Sequence, residues 1–133
     1  MIAPSDLYNA LSKAWDYSTS SDWANWTHQL PSWGQCAVTA LVVNDYFGGK
    51  IFRIPLVDFP KKIAALGSHY FNEINGVGLI DFTSSQFEIG FSTEFLFKNL
   101  RLNSEEKTRD YLLENHNTKR RYEILKKRLG EIL

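Results

Sequence analysis

The sequence predicts an α+β domain in which N-terminal helices pack on a small antiparallel sheet and C-terminal helices follow. Helix-type patterns lie at both ends of the chain, and short strand-type patterns lie between them. The pair Asn75-Gly76 gives a strong hairpin signal among the strands. With 133 residues and 44% hydrophobic content, the chain fits one globular domain over residues 1–133.

The N-terminal third contains two predicted helices separated by a long loop. An amphipathic helix of about three turns follows Ser5-Asp6, a pair that suits a helix start. Residues 17–35 lack periodicity and are expected to form a long surface loop. Residues 37–47 include valines that favour a strand, but their length, their apolar character and the following Gly48-Gly49 favour a buried helix.

Three strands are predicted in the middle of the chain. Residues 50–57 alternate apolar and polar side chains, and Pro55 places this strand at a sheet edge or at a strand end. Residues 68–74 and 78–83 are expected to pair as a hairpin around Asn75-Gly76.

The C-terminal segment is predicted to be helical. A helix is expected from Ser104, because Glu105 and Glu106 suit the positive end of a helix dipole. A weak break at 115–117 separates it from a last helix over 118–129. The basic residues of that helix surround an apolar stripe, which indicates a packed helix with a solvated basic rim; binding of RNA or phosphate is a weaker alternative. These basic residues are Lys119, Arg120, Arg121, Lys126, Lys127 and Arg128.

Charge and cysteine content limit the classes of partner and compartment. The formal net charge is zero, so no bulk field favours nucleic acid or an anionic membrane, and neither partner is expected. The chain shows no secretory signal pattern and no run long enough to span a membrane. A single cysteine cannot form a disulfide within the chain, so a cytoplasmic location is expected, with export by a dedicated secretion system left open. The oligomeric state is left open as well.

Cys36 is the only cysteine, and it lies at a predicted loop-to-helix junction. A helix N-terminus carries unpaired N–H groups and a partial positive charge, which favour a thiolate and can bind a developing oxyanion. The residue is therefore either a nucleophile or core filler.

His69 and Asp81 are the candidate partners of this thiol. Among the three histidines, only His69 falls on a predicted strand, where its ring can be held rigidly. A two-residue turn would put Asp81 on the opposite face, whereas a three-residue loop over 74–76 sets Asp81 directly across from His69. Gly78 offers a second place for the bulge that would bring the two residues onto one face. Taken singly, each of these residues is more often structural than catalytic.

At these residues the chain resembles the YunG-like family of bacterial proteins. Phe71 and Phe82 replace the Trp and Leu that the family pattern leads us to expect. The family in turn resembles small papain-like and transglutaminase-like folds, in which a cysteine at a helix start meets His and Asp on neighbouring strands. The resemblance thus implies a papain-like α+β fold and a Cys-His-Asp site. Its most specific block is Gly34-Gln35-Cys36, and it covers nearly the whole chain, including Asn25-Trp26, Gly67-Ser68-His69-Tyr70, Asn72, Asp81, Thr83, Gln86-Phe87 and Arg121-Tyr122.

Each residue of this site has an expected role. Cys36 would attack a carbonyl carbon, His69 would activate the thiol and protonate the leaving amine, and Asp81 would fix the His69 tautomer. The backbone N–H of Cys36, with the side chain of Gln35 or Gln29, would form the oxyanion hole.

The surroundings of the site are expected to bind substrate without a metal. The tryptophans of the long loop would line the cleft, and Asn72 is a further candidate for substrate binding. One cysteine and three scattered histidines match no metal-ligand spacing, so neither a metal nor another cofactor is expected. The candidate cleft residues in the loop are Trp23, Trp26 and Trp33.

The predicted function is a thiol hydrolase or acyltransferase that acts on an amide through a thioester intermediate. A peptidase, an amidase, a deamidase and a transglutaminase-like enzyme all fit this description, and the substrate would be a peptide or a small amide. The alternative is a catalytically inactive module of the same fold that binds a peptide or a small ligand.

Overall fold

The fold is an α+β arrangement in which helices cover one face of a four-stranded antiparallel sheet. The structure is a computed structural model, and the residues described are 2–87 and 104–133. Across the sheet the strand order is β3-β2-β1-β4. In chain order the strands are β1 (Lys50–Pro55), β2 (Ser68–Ile74), β3 (Gly78–Ile80) and β4 (Glu105–Lys107).

Five α-helices lie within these described residues, and short 3₁₀ turns connect some of them. The helices are α1 (Pro4–Ala14), α2 (Cys36–Phe47), α3 (Lys61–Ala64), α4 (Arg109–Leu113) and α5 (His116–Ile132). The 3₁₀ turns are Tyr17–Thr19, Trp23–Asn25 and Ser84–Phe87.

The main hydrophobic core lies between the sheet and helices α1, α2 and α5. Helix α2 is apolar on nearly all sides, as is typical of a buried helix, and it packs against both β2 and α5. Side chains alternate along β2, so Tyr70 and Asn72 share one face of the sheet while His69 and Phe71 share the other. The fully buried side chains at the centre of the main core are Leu7, Leu11, Val38, Leu41, Val42, Val43, Leu125 and Leu129.

Most predicted elements are present. The helix expected over 37–47 is α2, which begins one residue earlier. The strand expected over 50–57 is β1, which ends two residues earlier, and the strand expected over 68–74 is β2. The strand expected over 78–83 is shorter, because β3 ends at Ile80. The α+β class is therefore confirmed.

The helix predicted at the two glutamates of β4 is wrong. Glu105 pairs with Arg53 of β1, and the Arg53 Nη1 and Glu105 Oε1 atoms lie 3.4 Å apart. Helix α4 begins only at Arg109, after Thr108 caps it with its side chain. The open edge of β1 offers a full set of ladder hydrogen bonds, which outweighs the weak preference of glutamate for a helix start.

Helix α5 differs from the expected last helix at both ends, since it runs over His116–Ile132, and in the burial of Arg121 and the partial burial of Arg128. It begins at His116, because the Asn115 side chain caps it by accepting a hydrogen bond from the N–H of Thr118 at 3.0 Å. Lys119, Lys126 and Lys127 are exposed, as a solvated rim requires. Arg121 was expected in that rim, but only 4% of its surface is exposed, so its placement is corrected.

Gly34 fixes the path of the chain into α2. Its backbone is left-handed, with φ of 72°, and its carbonyl accepts a hydrogen bond from the N–H of Ser21 at 2.9 Å. A β-carbon at this position would lie 2.3 Å from Oγ of Ser20, a side chain that is itself buried and bonded to the Trp33 carbonyl. Only glycine fits this corner without strain.

We predict that Gly34→Ala lowers the free energy of unfolding by about 2 kcal/mol or more, because the left-handed backbone alone costs about 1–2 kcal/mol with a β-carbon and the overlap with Ser20 adds to it. Urea unfolding measures the change. Gly130→Ala is the control: Gly130 lies in α5 with open space around it, so this substitution should stabilise the protein by about 0.5–1 kcal/mol. A Gly34→Ala protein as stable as the wild type would contradict this account.

Candidate functional site

Cys36 is the first residue of α2, at the end of the loop that Gly34 anchors. Its side chain is nearly buried, and Sγ lies 3.5 Å from the carbonyl oxygen of Ser68, to which the thiol donates. The first hydrogen bond of the helix is donated by Thr39 to Gln35, and no side chain caps the helix start. Within the described residues the N–H groups of Cys36, Ala37 and Val38 therefore have no partner.

His69 is the second residue of β2 and is completely buried. Its ring stacks on Phe71 at 6.2 Å between centroids and meets the edge of Phe87 at 4.6 Å. These two aromatic contacts fix the orientation of the imidazole, so that its two nitrogens point in defined directions.

Asp81 reaches His69 from the segment that follows β3. Its Oδ2 lies 2.6 Å from Nε2 of His69, and its side chain is 2% exposed. Oδ1 accepts weaker hydrogen bonds from the N–H and the hydroxyl of Thr83, at 3.3 and 3.4 Å. Both oxygens of this buried carboxyl group therefore have hydrogen-bond partners.

The hairpin loop has odd length, as this contact requires, but it is not the predicted loop. Ile74 pairs with Gly78, so the loop is 75–77 rather than 74–76. If the register of Asn72↔Ile80 is continued by three residues, residue 83 rather than Asp81 lies across from His69. Asp81 thus shares the face of His69 and contacts it diagonally instead of directly. Gly76 in the loop and Gly78 at the start of β3 have positive φ, of 80° and 101°, and glycine adopts this backbone without strain.

The charge environment favours a protonated His69. Burial favours the neutral ring, but the charge of Asp81 and its hydrogen bond, with smaller contributions from Cys36, outweigh it and raise the pKa of His69 to about 10. The imidazole therefore carries a proton at neutral pH.

Nδ1 of His69 is buried and has no hydrogen-bond partner among the described residues. The side chain of Cys36 lies close enough to act on the charge of the ring, although its thiol points to Ser68 instead. When the ring is protonated, Nδ1 becomes a donor, and the Cys36 sulfur is the acceptor that the surroundings offer.

A chain of hydrogen bonds connects Asp81 back to the loop of Cys36. Thr83 Oγ1, which lies next to the Asp81 carboxylate, accepts from Nε2 of Gln86 at 3.2 Å. Oε1 of Gln86 in turn accepts from the N–H of Gly34 at 3.0 Å. Gln86 is 1% exposed, so this link between the two halves of the site is shielded from water.

Cys36 opens into a cleft of about 350 Å³. The start of α2 and the start of β2, including Tyr70, line this cleft. The start of α5 also lines it and contributes Asn117, Thr118 and Arg121. Burial raises the pKa of Tyr70 to about 12, so that its hydroxyl keeps its hydrogen at physiological pH.

The two glutamines expected in the oxyanion hole are placed differently. Gln29 is exposed and does not line the cleft. Gln35 is fully buried, and its Nε2 donates to the Asp16 carbonyl at 3.0 Å, while its Oε1 has no partner among the described residues. The atom that Gln35 leaves free is thus an acceptor, whereas an oxyanion needs donors.

The tryptophans and Asn72 are also not brought to Cys36, so their expected place in the cleft is corrected. Trp26 donates to the Pro31 carbonyl at 2.9 Å, and the buried Trp33 donates to Asp22 at 3.0 Å, so both hold the loop together. Trp23 is 69% exposed and lines an adjoining cavity of about 370 Å³. Asn72 donates to the Ala40 carbonyl at 3.0 Å and fastens β2 to α2.

Three residues of the site were given no role by the sequence pattern: Tyr70, Gln86 and Arg121. All three belong to the segments that carry the resemblance to the YunG-like family, which was the available signal for them. No group of three or more His, Cys, Asp or Glu side chains in the described segments could hold a metal ion. The helices of residues 2–87 and 104–133 include none long and apolar enough to cross a membrane.

Comparison with known proteins gives a family and a relative. The family model described as YunG protein matches residues 3–133 of this chain. A protein of Bacillus subtilis (strain 168), described as "Uncharacterized protein YunG", is 44% identical over 78 residues, which span 59% of this chain and 57% of the relative. No solved structure matches the chain significantly.

We predict that Asp81→Asn removes a pH-dependent part of the stability. A raised pKa means that the folded state holds the His69 proton more tightly than the unfolded state does, so the contribution is complete below pH 6.5, the ordinary pKa of histidine. It is lost as the pH rises through about 10. The difference in the free energy of unfolding between wild type and Asp81→Asn should therefore shrink across this range, which urea unfolding at a series of pH values measures.

Asp58→Asn is the control for this comparison, because Asp58 is an exposed aspartate. Its difference from wild type should not change between the same two pH values. If the difference for Asp81→Asn were equally flat, the pKa of His69 would not be raised by Asp81.

Proposed function

This chain belongs to the YunG family, and we propose that it is a thiol hydrolase or acyltransferase that acts on an amide through Cys36, His69 and Asp81. The observation that carries the proposal is the His69 ring, which is buried, bonded to Asp81 at Nε2 and, among the described residues, without a partner at Nδ1 on a ring that interacts with Cys36. The large majority of buried side-chain nitrogens in proteins are hydrogen-bonded, so the open Nδ1 favours a role beyond packing.

Cys36 acts as the nucleophile. In the reactive form the proton of the thiol has moved to His69, so that a thiolate lies beside an imidazolium. The thiolate attacks the carbonyl carbon of the amide, and a C–S bond forms as the carbonyl oxygen becomes an oxyanion.

The oxyanion is stabilised by donors at the start of α2. The N–H groups of Cys36 and Ala37 have no other partner among the described residues, and they lie at the positive end of the helix dipole. Tyr70 lines the same cleft with a hydroxyl that keeps its hydrogen, and it replaces Gln35 and Gln29 as the side-chain candidate.

His69 then completes the acyl transfer. Nδ1–H gives its proton to the nitrogen of the leaving amine, the C–N bond breaks and an acyl thioester remains on Cys36. Water or a second amine attacks the thioester while His69 takes up its proton, and the C–S bond breaks to restore the thiolate. Asp81 holds the ring in the orientation that both steps need.

The order of these residues supports a papain-like or transglutaminase-like arrangement. In such folds a cysteine starts a buried helix, and the histidine and the acidic residue follow on adjacent strands. Here Cys36 starts α2, His69 lies in β2, and Asp81 follows β3. A free thiol of this kind suits a reducing compartment, so we propose a cytoplasmic location.

A binding module without activity is the second candidate, and the adjoining cavity favours it. Tyr17 and Trp23 line that cavity and are 59% and 69% exposed, as expected for aromatic side chains that hold a peptide or a small ligand. In that case Cys36→Ser would bind the ligand as well as the wild type does, and Cys36 would react slowly with alkylating reagents.

We predict that iodoacetamide alkylates Cys36 at pH 7 at least about tenfold faster than it alkylates N-acetylcysteine, because the paired thiolate is the nucleophile. His69→Gln should slow the reaction by about tenfold or more, since the pairing is lost. Intact-mass spectrometry measures both rates.

The matched control is His116→Gln, which removes an exposed histidine at the start of α5. This variant should react like the wild type. The proposed function would be contradicted if wild-type Cys36 reacted no faster than N-acetylcysteine in protein that circular dichroism shows to be folded.

A further inference from the structure

Arg121 provides the positive charge in the cleft of Cys36. Its side chain comes from the first turns of α5 and lines the cleft, although only 4% of the residue is exposed. Among the described residues that line this cleft, no other lysine, arginine or histidine is present. The mechanism proposed above gives this charge no task.

The hydrogen bonds of Arg121 leave part of its guanidinium free. Nε donates to Asn117 at 2.7 Å, Nη1 donates to the Thr19 carbonyl at 3.1 Å, and Nη2 donates to the Thr118 hydroxyl at 3.2 Å. All three acceptors are neutral. Each Nη nitrogen carries two hydrogens and donates one of them to these acceptors, so one N–H on each remains for a ligand.

Every other arginine that is partly buried in the described residues has a carboxylate partner. Arg53 lies 3.4 Å from Glu105, Arg109 lies 2.8 Å from Asp45, and Arg128 lies 2.8 Å from Asp16. Arg121 is more buried than these three and has no such partner within the described part of the chain. A buried charge without a counter-charge is costly, and a bound anion would remove that cost.

We propose that Arg121 binds a carboxylate of the substrate, so that the amide cleaved at Cys36 carries a free carboxylate close to the scissile bond. N-acyl amino acids and the C-terminal residues of peptides have this chemistry. The single positive charge of the cleft matches a monoanion such as a carboxylate better than a phosphate dianion. The inference rests on the proposed function of Cys36, since it specifies the substrate of that site.

The competing role for Arg121 is to stabilise the Cys36 thiolate itself. The two roles differ in what a change at Arg121 does to charged and uncharged reagents. A residue that serves the thiolate affects every electrophile alike, whereas a carboxylate-binding residue affects only reagents that carry a carboxylate.

Iodoacetate and iodoacetamide test this difference, because they share a leaving group and differ in one carboxylate. For wild type we expect the ratio of the iodoacetate rate to the iodoacetamide rate to exceed that of N-acetylcysteine by about tenfold or more. Arg121→Gln should return the ratio to the value of the free thiol. Arg120→Gln removes the same group one position earlier, on the exposed surface, and should leave the ratio within about twofold of wild type.

A second arm uses the wild-type protein alone, in case Arg121→Gln does not fold. N-acetylglycine should slow the alkylation of Cys36 by iodoacetamide. The concentration required should be about tenfold or more lower than for N-acetylglycinamide, which lacks the carboxylate. Inorganic phosphate at the same concentration should not protect. Equal protection by the two acetyl compounds, or protection by phosphate instead, would overturn the carboxylate assignment.

The outcomes separate this inference from the function on which it rests. Slow labelling by iodoacetamide that does not depend on His69 removes the proposed function. Fast, His69-dependent labelling with a rate ratio that Arg121→Gln leaves unchanged, or with both rates lowered equally, removes only the carboxylate assignment.

Discussion

The buried contact between His69 and Asp81 is the constraint on which the rest of the structure depends. A charged pair inside a protein loses the solvation of water, and its mutual attraction repays that loss only if the remaining polar atoms are also satisfied. The second oxygen of Asp81 is satisfied by the turn at Thr83, and Gln86 connects that turn to Gly34. The segment that covers His69 is thereby fixed to the segment that carries Cys36, so the pair and the thiol are positioned together.

The sequence predicts the contact between His69 and Asp81 but not the hairpin register that makes it. It also misplaces residues expected around Cys36, such as Gln29 and Trp23. A two-residue turn would have buried Asp81 on the wrong face, so an odd-length loop follows from the need for a partner. Local sequence cannot choose among odd loops, since Gly76 and Gly78 both tolerate a left-handed backbone. The choice is made by the long-range contact with His69, which a hairpin signal does not contain.

The failures elsewhere have the same origin. The two glutamates of β4 suit a helix start, but the edge of β1 offers backbone partners and Arg53, which lie about fifty residues away in sequence. The basic pattern of α5 predicts a solvated rim, and it holds for residues such as Lys119. It cannot identify Arg121 as the residue that turns inward, because the acceptor that draws it in is the Thr19 carbonyl near the other end of the chain.

The incompletely paired buried groups of the described residues lie near Cys36 or line its cleft. Nδ1 of His69 and Oε1 of Gln35 are the buried side-chain atoms that lack a partner in the described residues, and both residues adjoin Cys36 or interact with it. Arg121, which lines the cleft of Cys36, is the buried arginine that has no carboxylate partner in the described part of the chain. Elsewhere in the described residues the buried side-chain polar atoms have partners, so these groups are not scattered as unrelated packing defects would be. In the proposed reaction the leaving amine takes the proton of His69 Nδ1 and the substrate carboxylate pairs with Arg121, whereas the acceptor Oε1 of Gln35 gains a partner from neither an oxyanion nor a carboxylate.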